Sequence, residues 1–166
     1  MPKVSAEHVE ARKEQILRGA RRCFARWGYD GATVPRLEEA IGLSHGAIFN
    51  YFPSKLDLFV ALAVEDHERF HRLYADIGFA GLARHIAEAD PAWLSVYLEL
   101  HRRLNTDPAL RKAWRKAVRA TEEPHEHTPA EAFAHTLLDG LVFARAAGSE
   151  IDVEPIIALA RKALGE

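Results

Sequence analysis

The sequence predicts an all-α protein, with a small N-terminal three-helix unit joined to a larger helical domain. Three observations predict it. Apolar residues recur at three- and four-residue steps along most of the chain, which is the spacing of one helix face. Glycines and Xaa-Pro pairs interrupt that pattern at intervals suited to helix ends and helix starts. No alternating apolar–polar run is long enough for a strand.

Each helix has its own signals. From about Ser5 to Trp27, Ile16, Ala20, Cys23, Phe24 and Trp27 form one apolar face, and Gly28 and Gly31 stop the run. A short helix follows, with Thr33 as its expected N-cap and Leu37, Ala40 and Ile41 turned inward. Gly42 breaks it. Ser44 can cap the next helix, about His45 to Phe52. After Pro53, Ser54 can cap a long helix over about 55–77. Beyond Gly78 and Gly81, helices are expected near 82–89, 92–105, 108–122, 129–147 and 153–164. Asp90-Pro91, Asp107-Pro108, Thr128-Pro129 and Glu154-Pro155 mark four of these starts. Residues 122–127, polar and carrying Pro124, read as a linker, with His125 and His127 facing water. The expected division is a domain of residues 1–54 and a second of 55–166.

Composition narrows the function. With 166 residues, 48% hydrophobic and 28% charged, the chain can bury a core without covalent staples. A single cysteine, Cys23, excludes an internal disulfide framework and a multi-cysteine zinc site, and reads as a small core residue rather than a redox sensor. No apolar leader and no membrane-length apolar run occur, so a soluble cytoplasmic protein with no membrane partner is expected. Residues 1–55 hold 9 Lys/Arg against 6 Asp/Glu, whereas 56–166 hold 13 against 18. A basic front on an acidic remainder suits an end that meets a polyanion.

That front contains the functional candidate. Two short helices around Ile41-Gly42-Leu43-Ser44 fit a helix-turn-helix, with Leu37, Ile41, Leu43, Ile48, Phe49 and Phe24 available to pin the crossing. The second helix then presents Ser44, His45, Ala47 and Asn50 to base edges in a major groove. Tyr51 and Lys55 lie past the reading end, where they suit backbone phosphates, and Thr33 and Arg36 flank them at the start of the preceding helix.

Ala32-Thr33-Val34, Ile41-Gly42-Leu43-Ser44, Gly46 through Phe52 and Ser54 through Phe59 resemble the signature of TetR-family transcriptional regulators, as does Phe24 through Thr33. The resemblance covers about residues 10–60 without gaps. It implies a homodimer on a palindromic double-stranded DNA operator, acting as a repressor released by a small-molecule effector, with no catalysis and no cofactor. It also implies a dimer bundle from the last two helices, for which Leu137, Leu138, Leu141 and Val142, with Ile156, Ile157, Leu159, Ala160 and Leu164, offer apolar stripes. The alternative is that these stripes pack within one protomer.

Arg36 through Glu39, Trp93 through Glu99, Leu104 through Pro108 and Leu138-Asp139-Gly140 are more specifically similar to actinobacterial aconitase repressors. That subgroup implies citrate with a divalent ion as effector. The stretch between Trp114 and Leu138 is shorter than the subgroup's pattern. Polar residues on apolar stripes make Asp66, Tyr97, His101 and Arg145 the candidate effector pocket. A satisfied internal salt bridge is the alternative for the charged ones.

A rival reading comes from His67-Glu68-Arg69-Phe70-His71, a literal HExxH. His67 and His71 share a helix face, as metal ligands do, and in a zinc protease Glu68 would be the general base. No third ligand and no strand to shape a substrate cleft accompany it, which leaves a metal-binding helical protein as the alternative function. Ser95 and Ser149 lack a base in sequence context, so nucleophilic catalysis gains no support.

Overall fold

The computed structural model describes residues 6–121 and 128–164; the expected linker, with His125 and His127, lies outside them. The described residues form eight helices and no strand: α1 (Ala6–Gly31), α2 (Val34–Ile41), α3 (His45–Phe49), α4 (Lys55–Glu88), α5 (Pro91–Thr106), α6 (Pro108–Thr121), α7 (Pro129–Ala146) and α8 (Glu154–Leu164). No helix among them is long and apolar enough to cross a membrane.

The expected helix starts are borne out where proline or a cap marks them. The Ser54 hydroxyl accepts the Asp57 N–H at 3.1 Å. Thr128 and Glu131 make a reciprocal capping box, and the Asp107 carboxylate accepts the Leu110 N–H at 3.0 Å. Two expectations are corrected. The break expected after 77 is present at Gly78, whose φ of 65° and ψ of −176° are non-helical and divide α4 into two limbs, but the second limb resumes at once rather than at 82. The helix expected at 45–52 ends at Phe49. Its last N–H groups, from Tyr51 and Phe52, turn back to the Ile48 carbonyl at 3.0 and 3.2 Å.

Two cores organise the chain. The first joins α1–α3 to the first limb of α4, and Val96, Leu100 and Leu110 of α5 and α6 complete it. It therefore includes residues on both sides of position 54. Cys23 is buried in it, and burial pushes its thiol pKa up. The second core joins the limb of α4 beyond Gly78 to α5, α7 and α8, and Arg84 ties that limb to Glu154 of α8 at 2.6 Å.

The second core corrects part of the expected dimer stripe, while Leu159 of that stripe remains outward. Leu138, Leu141, Val142, Ile157 and Ala160 are buried within the protomer, and Leu137 and Ile156 are partly so. The large apolar side chains left outward on α7 and α8 are Phe133, Phe143 and Leu159, 41%, 63% and 70% exposed. Leu164's side chain lies outside the description.

Gly19 lets α1 and α2 meet. A Cβ there would lie 2.6 Å from the Ile41 Cα and 2.9 Å from the Ala40 carbonyl oxygen, both backbone atoms. Gly19→Ala is therefore expected to cost about 1–3 kcal/mol despite alanine's better helix propensity. A drop of several degrees in the melting temperature checks this, and an unchanged or raised value contradicts it.

Candidate functional site

The head is built on a tight turn. Gly42 ends α2 at φ 75°, a left-handed conformation that glycine adopts without a Cβ clash, and its N–H bonds the Glu38 carbonyl. Leu37 and Ile48 are fully buried, with Ile41 close behind, so α2 and α3 are fixed by packing. This leaves Ser44, His45, Gly46 and Asn50 exposed and Ala47 half-buried. The His45 ring rests against Phe49, centroids 4.5 Å apart. Thr33 and Ser44 occupy N-cap positions, but neither side chain makes the expected cap hydrogen bond. Asn50 and Tyr51 sit in the closing turn after α3.

The basic residues around this face are partly committed. Arg36 donates to the Gly31 carbonyl at 2.7 Å and lies 4.0 Å over the Trp27 ring. Lys55 donates to the Tyr29 carbonyl at 2.9 Å and lies 4.5 Å from the Tyr29 ring centroid. An ammonium has three donors and a guanidinium five, so both retain N–H groups for a phosphate.

The head is tied to the rest of the chain by ion pairs. Arg21 of α1 bonds Asp66 and, at 2.9 Å, Glu65 of α4. Asp66 is the buried charged residue of the described chain. Burial raises its carboxyl pKa above the ordinary value, and Arg21 pulls it back. Asp66 is thus a satisfied internal salt bridge and is corrected out of the pocket; its register on α4 turns it toward α1. Arg145 is likewise absent from the pocket's walls, and its Nε is buried without a hydrogen-bond partner.

The pocket is a cavity of about 280 Å³ between α4, α5, α6 and α7. Tyr97 and His101 line it. The Tyr97 hydroxyl donates to Asp139 of α7 at 2.8 Å, and its pKa is pushed well up by burial and by that carboxylate. His101 Nδ1 lies 2.9 Å from the Tyr97 carbonyl. Sequence reasoning missed the other polar walls: His67, His71, Tyr74, Trp114, His135 and Asp139. Their rings meet edge to face, His67 with His71 at 4.5 Å and His71 with His135 at 5.6 Å. The one available signal was the stripe His67, His71, Tyr74.

The HExxH reading gains no support. Glu68 faces Arg72 at 3.6 Å, and among the described residues no group of three His, Cys, Asp or Glu can hold a metal ion.

Comparisons with known proteins agree with the head's geometry. Residues 16–62 match the profile described as bacterial regulatory proteins, tetR family. The chain is 51% identical over 116 residues to the HTH-type transcriptional repressor Rv1474c of Mycobacterium tuberculosis, a match covering 69% of this chain and 62% of that one. It is 37% identical over 172 residues to the HTH-type transcriptional repressor AcnR of Corynebacterium diphtheriae, covering 92% and 90%. Salmonella enterica GusR has a similar fold, with a TM-score of 0.67 at 19% identity over 98% of this chain and 96% of that one. The protein belongs to the tetR family of bacterial regulatory proteins, as a transcriptional regulator rather than an enzyme.

Proposed function

We propose that the chain is a homodimeric repressor that lays α3 of each protomer in the major groove of a palindromic operator and is released by a small effector in the α4–α7 cavity. The observation that carries this reading is the outward face of α3, where Ser44, His45, Gly46 and Asn50 are exposed while Ile48 is fully buried beneath them. His45, Asn50 and Ser44 then read base edges, the Ala47 methyl approaches a thymine methyl, and Thr33, Arg36, Tyr51 and Lys55 hold phosphates. Two such heads fit half-sites about 34–36 Å apart. The outward Phe133, Phe143 and Leu159 supply an apolar surface for pairing two protomers.

The cavity supports a compact effector held by ring faces and imidazole groups. Among the described residues its walls include no lysine or arginine, and one carboxylate, Asp139, which is engaged by Tyr97. An effector that favours one spacing of the two heads shifts the population off DNA. Citrate with a divalent ion is what the aconitase-repressor resemblance implies. Among the described residues no group of three His, Cys, Asp or Glu could hold such an ion. Thermal shift with citrate, with and without magnesium, tests this. A melting temperature raised only by the pair supports the ion's part, and no rise with either sinks citrate as effector.

Selection of bound sequences from random DNA tests the DNA reading. His45→Ala is expected to change the preferred sequence. Lys55→Ala is expected to weaken all sequences alike and to lower the salt slope by about 0.9, the loss of one phosphate contact. If Lys55→Ala altered base preference and His45→Ala did not, the docking would be wrong.

A further inference from the structure

We infer that Arg103 of α5 is a positioning residue for operator binding: through Tyr29 it sets where the Lys55 ammonium stands. The inference rests on the DNA-binding reading above. The Lys55 ammonium and the Arg103 guanidinium share one ring, at 4.5 and 4.3 Å from the Tyr29 centroid. Lys55 also donates to the Tyr29 carbonyl at 2.9 Å. Lysine has a flexible stem whose ammonium, unheld, samples many positions. Here the ring and the carbonyl together restrict it, leaving two N–H groups for a phosphate.

Tyr29 is itself held from several sides. It follows the break at Gly28, where φ is 64°, and its ring meets Phe59 edge-on at 5.0 Å and lies parallel to Phe24 at 6.0 Å. Arg103 anchors the last side. It donates to Asp30 of α1 and, at 2.5 Å, to Glu99 one turn earlier on α5. The Asp30 side chain is 81% exposed, so this ion pair contributes little stability by itself. It does fix the guanidinium over the ring. Glu99 and Arg103 lie two residues beyond Tyr97 and His101, and a two-residue step turns a helix about 200°. One side of α5 therefore lines the cavity while the other braces the Tyr29–Lys55 contact. The brace runs from α5 through Tyr29 to the first residue of α4, and it does not use the Arg21–Asp66 pair.

The test is binding of the full-length chain to its selected operator duplex over a range of KCl concentrations. Lys55→Ala lowers the salt slope by about 0.9. Arg103→Met should weaken binding several-fold and lower the slope in the same direction, Arg103→Lys should recover most of both, and Lys55→Ala/Arg103→Met should bind like Lys55→Ala alone. A purely structural role for Arg103 would leave the slope unchanged and make the two losses multiply, and either result overturns the inference. Asp30→Asn, at an exposed side chain, repeats the test without endangering the fold; unchanged affinity and slope there also overturn it. Should the unaltered protein bind no duplex at low salt, the DNA-binding reading itself falls. Should it bind with only the Arg103 and Asp30 variants indifferent, the inference alone falls.

Discussion

Replacing Arg21 by alanine is expected to lower the unfolding free energy by about 3–5 kcal/mol at neutral pH, because it strands the buried Asp66 carboxylate. Folded, Asp66 keeps its proton to a higher pH than it does unfolded, since burial raises its pKa and Arg21 only partly offsets that. Between the two values the native state holds a proton that the unfolded chain has lost, so this group makes stability fall as pH rises through the window. Removing Arg21 extends the window upward. The variant should therefore be most destabilised above it and recover part of the loss on acidification. Urea unfolding across a pH series reads this out. Asp66→Asn in the Arg21→Ala background should flatten the pH dependence and restore much of the stability. A loss equal at every pH would mean that Arg21 acts through something other than Asp66.

Ile48→Ala is expected to cost about 2–5 kcal/mol, the range for emptying a fully buried aliphatic site, and Ile48→Val about 0.5–1.5. The effect on DNA binding should exceed the effect on stability. α3 has five residues, too few to persist through its own hydrogen bonds. Its direction is set by Ile48 beneath it and by the turn at Gly42. Operator affinity measured well below the variant's melting temperature should fall by at least tenfold while the far-ultraviolet circular dichroism stays helical. Native affinity in a protein of reduced melting temperature would show that α3 keeps its direction without Ile48.

The fold was legible because local chemistry marks most helix ends. Ser54, Thr128 and the prolines at 91, 108 and 129 act where they stand in sequence, and their hydrogen bonds follow. The head was legible for a related reason: Leu37, Ile41 and Ile48 are close together in the chain, and the family's pattern runs through them without gaps. The cavity was only half legible. Its walls come from four helices, and periodicity tells which residues share a face but not which neighbour that face meets. Tyr97 and His101 reach the cavity because α5 turns one side to it. Asp66 was misplaced because α4 packs against α1 along one side and borders the cavity along another, and a one-residue step of about 100° separates Asp66 from His67. His135 and Asp139 carry no local sign of their role, and become walls only when α7 packs against α4 and α5. The stripe on α7 and α8 divides for the same reason: Leu138, Leu141, Val142, Ile157 and Ala160 pack within the protomer while Leu159 faces outward, and an apolar face reads alike whether its partner is the same chain or another.

The bend at Gly78 has a mechanical result. A continuous helix resists a change of angle along its whole hydrogen-bonded length, whereas α4 is two stiff arms meeting at one left-handed residue. Phe70, His71 and Tyr74 on one arm and Leu82 and Ile86 on the other face the same cavity. On the reading proposed above, the effector would sit in the crook of an elbow, and its girth would bear on the angle between the two arms.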